Sequence, residues 1–341
     1  MPFALERRAG ATVTPLDRRR ERRARSGATL DIGLLNNMPD AAVRATERRF
    51  ARLLAEAAGA IDVRLRLYAL REIPRAAEAR AAMAQRYGDA DQIGAEGVDA
   101  LIVTGAEPVA AELDQEPYWR ALTDVIDWAD GRTISTILSC LAAHAGALHR
   151  DGVARRPLSV KCSGLFAFAT RGRHPLVAGL GRSITVPHSR HNGLHEADLV
   201  RRGFEVLTAD VDIGVDMAVK QTRSLFVFLQ GHPEYEADTL AREYRRDMGR
   251  FLRGERPAAP AAPANCLSLE AERALAEFVA RARCAPRPEL LREMPAATPA
   301  GAQAVWRRAA VGLYANWLRL VAGRKAGARD IAPIAAAGGR V

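Results

Sequence analysis

The sequence predicts an α/β fold built on a largely parallel sheet, and three observations carry that prediction. From Thr29 onward, short β-branched or aliphatic runs alternate with longer amphipathic stretches, the pattern of repeated βα units. One apolar run, TISTILS at 133–139, passes straight through Cys140 into a helical stretch. With 341 residues, 48% of them hydrophobic, the chain can build one large domain or two ordinary ones.

Residues 29–35 read as the first strand, and Asn36, Asn37, Met38 and Pro39 as a turn. Asp40 is placed to cap a helix over 41–58 that carries Val43, Phe50, Leu53 and Leu54 on one face. A second strand follows at 63–70, a second helix at 75–86, and a third strand at 99–103 that Thr104 and Gly105 stop. Residues 118–128 fit a helix, 133–139 a buried strand and 141–149 the helix that leaves it. The later part differs: 183–186, 205–208, 217–219 and 224–229 are short strands joined by Gly- and His-bearing loops. A charged amphipathic helix at 238–253 precedes the Ala/Pro segment ERPAAPAAPA, read as an extended linker. Ser268 then caps a helix to about Arg283, and a last helix spans 305–321. The expected organisation is a disordered Arg-rich arm (1–28), a principal domain (29–254), a linker (255–265), C-terminal helices packed on that domain (266–322) and a disordered tail (323–341).

Charge narrows the function classes. Of 50 basic residues only Lys161, Lys220 and Lys325 are lysines, against 40 acids. So strong an arginine bias makes any single arginine weak evidence for phosphate contact, and makes each lysine more informative. Residues 1–30 hold eight arginines and three acids, half of the net +10. The chain has no RNA-binding aromatic signature, zinc finger or clear recognition helix, which disfavours nucleic acid as a partner. Cysteines at 140, 162, 266 and 284 form no CxxC pair and no Cys/His zinc spacing, which fits reduced thiols in a cytoplasmic protein. No apolar run is long enough for a bilayer, and nothing calls for a metal or an organic prosthetic group.

Cys140 ends an apolar strand where Leu141 begins a helix, at the carboxyl edge of the sheet where α/β folds place their sites. A helix N-terminus favours a thiolate, and its first backbone N–H groups, that of Leu141 among them, can receive an oxyanion. This is the geometry of a nucleophile elbow. The plainer reading is a small buried apolar side chain. SLFVFLQGHPE at 224–234 runs a strand into Gly231, His232, Pro233 and Glu234. The residue before a proline is pushed to extended geometry, so His232 and Glu234, two apart, project to the same side. A carboxylate there can hold the imidazole tautomer and leave the other nitrogen as a base toward a thiol. A His-Pro-Glu turn is also an ordinary loop, but with Cys140 it completes a Cys/His/Glu triad.

The segments LLNNMPDAAVRATE (34–47), LIVTGAEP (101–108), PYW (117–119), KCSG (161–164), PHSRH (187–191) and GHPEYEADTLAREYRRD (231–247) resemble the homoserine O-succinyltransferase family, which includes acetyl-transferring relatives. The resemblance covers about Leu30 to Phe251, and Asn316-Trp317-Leu318 is similar to the family's C-terminal helix. It implies a flavodoxin-like three-layer sandwich of the class I glutamine amidotransferase type. It makes Cys140 the acyl-thioester nucleophile, His232 the base and Glu234 its partner, with Lys161, Ser189 and Arg246 at substrate-binding positions. The implied reaction is ping-pong transfer from succinyl-CoA or acetyl-CoA, as co-substrate, to homoserine or a similar hydroxy amino acid, in methionine biosynthesis. A homodimer is compatible with it.

Two departures stand out. The family usually has lysine after the Met-Pro of its first loop, where this chain has Asp40 and Ala41. Its donor selector after the TGA turn is glycine in succinyl-transferring members and glutamate in acetyl-transferring ones; Val109 stands there, and by lacking a negative charge slightly favours succinyl-CoA. The alternative enzyme is a glutamine amidotransferase or related amidohydrolase using the same triad, although such sites set the cysteine between glycines and Cys140 lies between Ser139 and Leu141. A third class is a basic scaffold or nucleic-acid-binding protein acting through the arm.

Overall fold

The computed structural model, which describes residues 3–5, 28–297 and 303–330, arranges the chain in layers around one mixed sheet. In chain order the elements are β1 (Phe3–Leu5), β2 (Thr29–Leu35), α1 (Asp40–Ala57), β3 (Asp62–Ala69), α2 (Ala77–Ala84), β4 (Tyr87–Asp89), α3 (Ala90–Glu96), β5 (Ala100–Val103), α4 (Trp119–Arg132), β6 (Ser135–Ser139) and α5 (Leu141–Asp151). There follow β7 (Arg156–Thr170), β8 (Ser183–Gly193), α6 (Glu196–Arg201), β9 (Glu205–Asp210), β10 (Gly214–Gln221), β11 (Leu225–Leu229), α7 (Thr239–Leu252), α8 (Leu269–Cys284) and α9 (Gln303–Asp330).

The strands lie in the order β1-β3-β2-β5-β6-β11-β10-β9-β7-β8, with β4 against β3. Pairing is parallel from β1 through β11 and antiparallel from β11 through β8. The alternation of side chains in the parallel strands builds the layers. Leu30, Ile32 and Leu34 of β2, Ala100 and Ile102 of β5, and Leu225, Val227 and Leu229 of β11 face α1 and α9. Their neighbours Leu101, Val103, Phe226 and Phe228 face α3, α4 and α5. A third cluster joins Leu165 of β7 to α7, α8 and Trp306 of α9.

Several expectations are revised. Asp40 opens α1 rather than capping it; Pro39 holds the cap position, and the Asp40 carboxylate instead accepts the Ala76 N–H at 2.8 Å. The 15-residue β7 was not foreseen, because RPLSVKCSG mixes proline, glycine and polar residues in a strand whose first half is largely exposed. The short β4 and α3 were likewise missed. Phe3–Leu5 of the arm expected to be disordered pairs in parallel with β3 beside β4, and residues 1–2 and 6–27 of that arm lie outside the described residues. At the other end α9 continues seven residues past Gly323 to Asp330, where Lys325 donates to Asp99 at 2.6 Å; the tail beyond, 331–341, lies outside the described residues. No helix among the described residues is long and apolar enough to cross a membrane.

Candidate active site

Sheet register brings the two chemical segments together. Ser139 at the end of β6 pairs with Leu229 at the end of β11, so Cys140 and the Gln230-Gly231-His232 loop leave adjacent strands at the same level. The Cys140 N–H donates to Leu229 O at 2.7 Å, which ties the elbow to its neighbour. Cys140 has φ 53° and ψ −110°, a conformation costly for a residue with a side chain, and it directly precedes α5. β5 emerges on the other side, and there Gly105 closes against the first turn of α5: a side chain on it would put Cβ 3.2 Å from Leu141 N. In that first turn the Ala143 N–H donates to Cys140 O at 3.0 Å, and helix geometry gives the N–H groups of Leu141 and Ala142 no partner inside the helix.

Gly231 packs still more tightly, since a Cβ there would lie 2.7 Å from His188 Nε2 and 2.6 Å from Asp216. The loop is pinned further by the His232 N–H, which donates to Pro187 O at 2.8 Å. His232 Nδ1 lies 2.9 Å from Glu234 Oε1, and the ring stacks on Tyr235 at 4.3 Å between centroids. Burial opposes a charge on His232. The Glu234 carboxylate and the Cys140 sulfur outweigh it, holding this imidazole well above its ordinary range. Glu234 thus holds one nitrogen of His232, and the Cys140 sulfur acts electrostatically on the same ring.

Lys161 and Arg246 are also brought together, through a residue the sequence reading did not single out. Asp247, buried on α7, accepts from Lys161 Nζ at 2.9 Å and from Arg246 Nε and Nη2 at 3.0 and 2.9 Å. Burial pushes the Asp247 carboxyl up, but Lys161 and Arg246 bring it below its ordinary value. Ser189 is half-buried on β8, directly opposite Ser163 and two residues from Lys161 in the facing strand. Val109 stands apart: its side chain is 70% exposed, and its loop is held by the buried Glu116, which accepts the Val109 and Ala110 N–H groups at 3.0 and 3.1 Å.

The other unforeseen neighbours are His188, Arg190 and Asp216, a buried network directly behind Gly231, and α9, whose Trp306 Nε1 donates to Tyr235 O at 3.2 Å. Asp247, His188 and Arg190 lie inside quoted motifs, so those blocks held the signal. Asp216 and Trp306 lie outside them. Among the described residues no cluster of three His, Cys, Asp or Glu side chains is arranged to hold a metal ion.

The sequence model of a family described as homoserine O-succinyltransferase matches residues 8–326. A homoserine O-succinyltransferase of Methylorubrum extorquens is 49% identical over 298 residues, covering 87% of this chain and 88% of that one. Those of Rhodopseudomonas palustris and Bradyrhizobium japonicum are 46% and 44% identical, covering 87% and 89% of this chain and 89% and 93% of theirs. Among solved structures, a glutamine amidotransferase from Methylobacillus flagellatus aligns over 86% of this chain and 95% of its own at 14% identity and TM-score 0.47. Another, from Thermotoga maritima, aligns over 72% and 90% at 11% identity and TM-score 0.39. The fold class rests on the strand order and layers described above rather than on these two.

Proposed function

The chain belongs to the homoserine O-succinyltransferase family, and from that premise we propose that it transfers an acyl group from an acyl-CoA to the hydroxyl of homoserine through a thioester on Cys140. The single observation that carries the mechanism is the elbow cysteine acting on a histidine that Glu234 grips at Nδ1.

In the first half-reaction the Cys140 sulfur attacks the carbonyl carbon of the donor thioester. The carbonyl oxygen becomes an oxyanion facing the Leu141 N–H, an environment that stabilises charge only as it develops. Collapse breaks the bond to CoA, whose sulfur leaves with the proton of the His232 imidazolium. Exchange of one thioester for another is nearly isoenergetic, which suits a cysteine better than a serine. In the second half-reaction neutral His232 removes the acceptor's hydroxyl proton as its oxygen attacks the acyl carbon. The second tetrahedral intermediate then expels the Cys140 thiolate, restoring the starting charges and giving O-acylhomoserine for methionine biosynthesis.

Glu234 bonds Nδ1, which leaves Nε2 as the nitrogen for both proton transfers. Lys161, Arg246 and Ser189 would bind substrate, the cations matching a carboxylate and the hydroxyl an amino-acid or acyl group. Succinyl-CoA is slightly favoured over acetyl-CoA, since Val109 introduces no negative charge in its loop. The test is product analysis: the protein with homoserine and each acyl-CoA is expected to release CoA and form the O-acyl ester. Ammonia release from glutamine with no CoA release would overturn the proposal in favour of an amidotransferase.

A further inference from the structure

The segment 255–264, read from sequence as a linker, is fastened at both ends beside the candidate site. The Glu255 N–H donates to Arg250 O at 2.9 Å at the end of α7. At the far end, the Ala264 N–H donates to Ser163 O at 2.8 Å and Ala264 O accepts the Leu165 N–H at 2.9 Å, next to Lys161 in β7. Arg256 is carried on this segment, half-buried, with Nη1 3.6 Å from Asp247 Oδ2. That is an ion pair but too long for a hydrogen bond, so the guanidinium keeps its N–H fork.

Asp247 therefore faces three cations: Lys161 at 2.9 Å, Arg246 at 2.9 Å and Arg256 at 3.6 Å. Among the described residues, Asp247 is the only carboxylate paired with Lys161 or Arg256. Arg246 additionally feels Glu243 and Glu107; Glu107 is paired with Arg250 at 2.7 Å, whereas Glu243, which accepts the Tyr235 hydroxyl at 2.6 Å, keeps its charge, so three cations stand against two carboxylates. His191 adds no charge: burial first, then Lys161 and Arg256, hold it below its ordinary range. An excess of positive charge in a partly dry cluster is a site for anions. A chain of contacts links it to the elbow: Arg250, one turn from Arg246, bonds Glu107, which lies two residues beyond Gly105, and Gly105 packs on Leu141.

Homoserine brings one carboxylate and a succinyl group brings a second, whereas an acetyl group brings none. Resting on the acyltransferase reading above, we propose that Arg256 is a donor-specificity residue whose guanidinium receives the distal carboxylate of a succinyl donor. It supplies the positive partner that apolar Val109 lacks. Donor choice in this chain is then written in the segment after α7 rather than in the loop after β5 alone.

Single-turnover acylation of Cys140 by succinyl-CoA and by acetyl-CoA tests this in the wild type, Arg256→Gln and Arg256→Lys. The wild type is expected to load succinyl in preference. Arg256→Gln is expected to slow succinyl loading by about 10- to 100-fold, the worth of one charge-assisted hydrogen bond, and acetyl loading far less. Arg256→Lys should recover part of the succinyl rate. An unchanged succinyl-to-acetyl ratio in Arg256→Gln, or a wild type that prefers acetyl-CoA, overturns the inference while leaving the acyltransferase reading intact. A wild type that loads neither donor removes both. Should Arg256→Gln lose its melting transition, the ratio in Arg256→Lys decides, and a ratio equal to wild type overturns the proposal.

Discussion

His188, buried behind Gly231, and His232, half-buried and next after Gly231 in the chain, are both paired with a carboxylate, yet the fold holds their protons in opposite ways. His188 Nε2 lies 3.1 Å from Asp216, and its Nδ1 accepts a hydrogen bond from Arg190 Nε at 3.2 Å. A ring nitrogen that accepts carries no proton, so this arrangement suits the neutral ring. Burial, with Arg190 and the neighbouring His232, keeps His188 below its ordinary range despite Asp216. For His232 the further influence is the Cys140 sulfur, which together with the Glu234 carboxylate raises it. Two histidine–carboxylate pairs are thus shifted in opposite directions.

Removing the Cys140 sulfur should have the largest effect. Cys140→Ala and Cys140→Ser are both expected to abolish transfer with the fold retained, as read by product formation and circular dichroism. Retained activity in Cys140→Ala would end the covalent mechanism. Cys162, Cys266 and Cys284 should be dispensable for chemistry.

Breaking the carboxylates separates the two pairs. Glu234→Gln should lower kcat/KM by about 10- to 10⁴-fold, the range for groups that assist proton transfer, and less than His232→Ala does. Asp216→Ala should act chiefly on stability, by about 1–3 kcal/mol for each buried donor it leaves unpaired, here His188 and Thr208. The pH dependence has a definite sign. A histidine raised in the folded state stabilises it fully below about pH 6.5, its unfolded value, and that contribution is lost as pH rises through the folded value. Glu234→Gln shrinks the shift, so the stability advantage of the wild type over this variant should be greatest near pH 6 and narrow toward alkaline pH in thermal melts. His188, lowered in the folded state, has the opposite sign and disfavours folding as pH falls below about 6.5.

The smallest effect is expected from Val109→Glu, which should depress succinyl transfer more than acetyl transfer by placing like charges together. Solvent at this 70% exposed position screens the repulsion, so competition between the two donors should show only a few-fold change. Equal loss for both would mean that Val109 does not line the acyl pocket.

How much could be read in advance follows from how locally each feature is encoded. The strands at 29–35, 63–70 and 99–103 were placed within one residue of their observed ends, because continuous apolar runs cut by Asn, Pro or Gly leave little choice. β7 was missed because its half-exposed face lacks that pattern. Cys140 and His232 were legible: Cys140 directly follows the buried β6 and His232 comes three residues after the buried β11, so register alone brings the two segments to the same level. The Asp247 cluster was not, since it joins residues 86 positions apart, and Arg256 is one arginine among 47. Tertiary pairing alone distinguishes it.

The covalent mechanism is tested most directly by the mass of Cys140 during turnover. With acyl-CoA and no acceptor, the Cys140 peptide should gain one acyl group that hydroxylamine removes, and the addition of homoserine should discharge it into the O-acyl ester at the rate of turnover. An ester that forms while Cys140 stays unmodified, or an adduct that homoserine fails to discharge, would contradict the account.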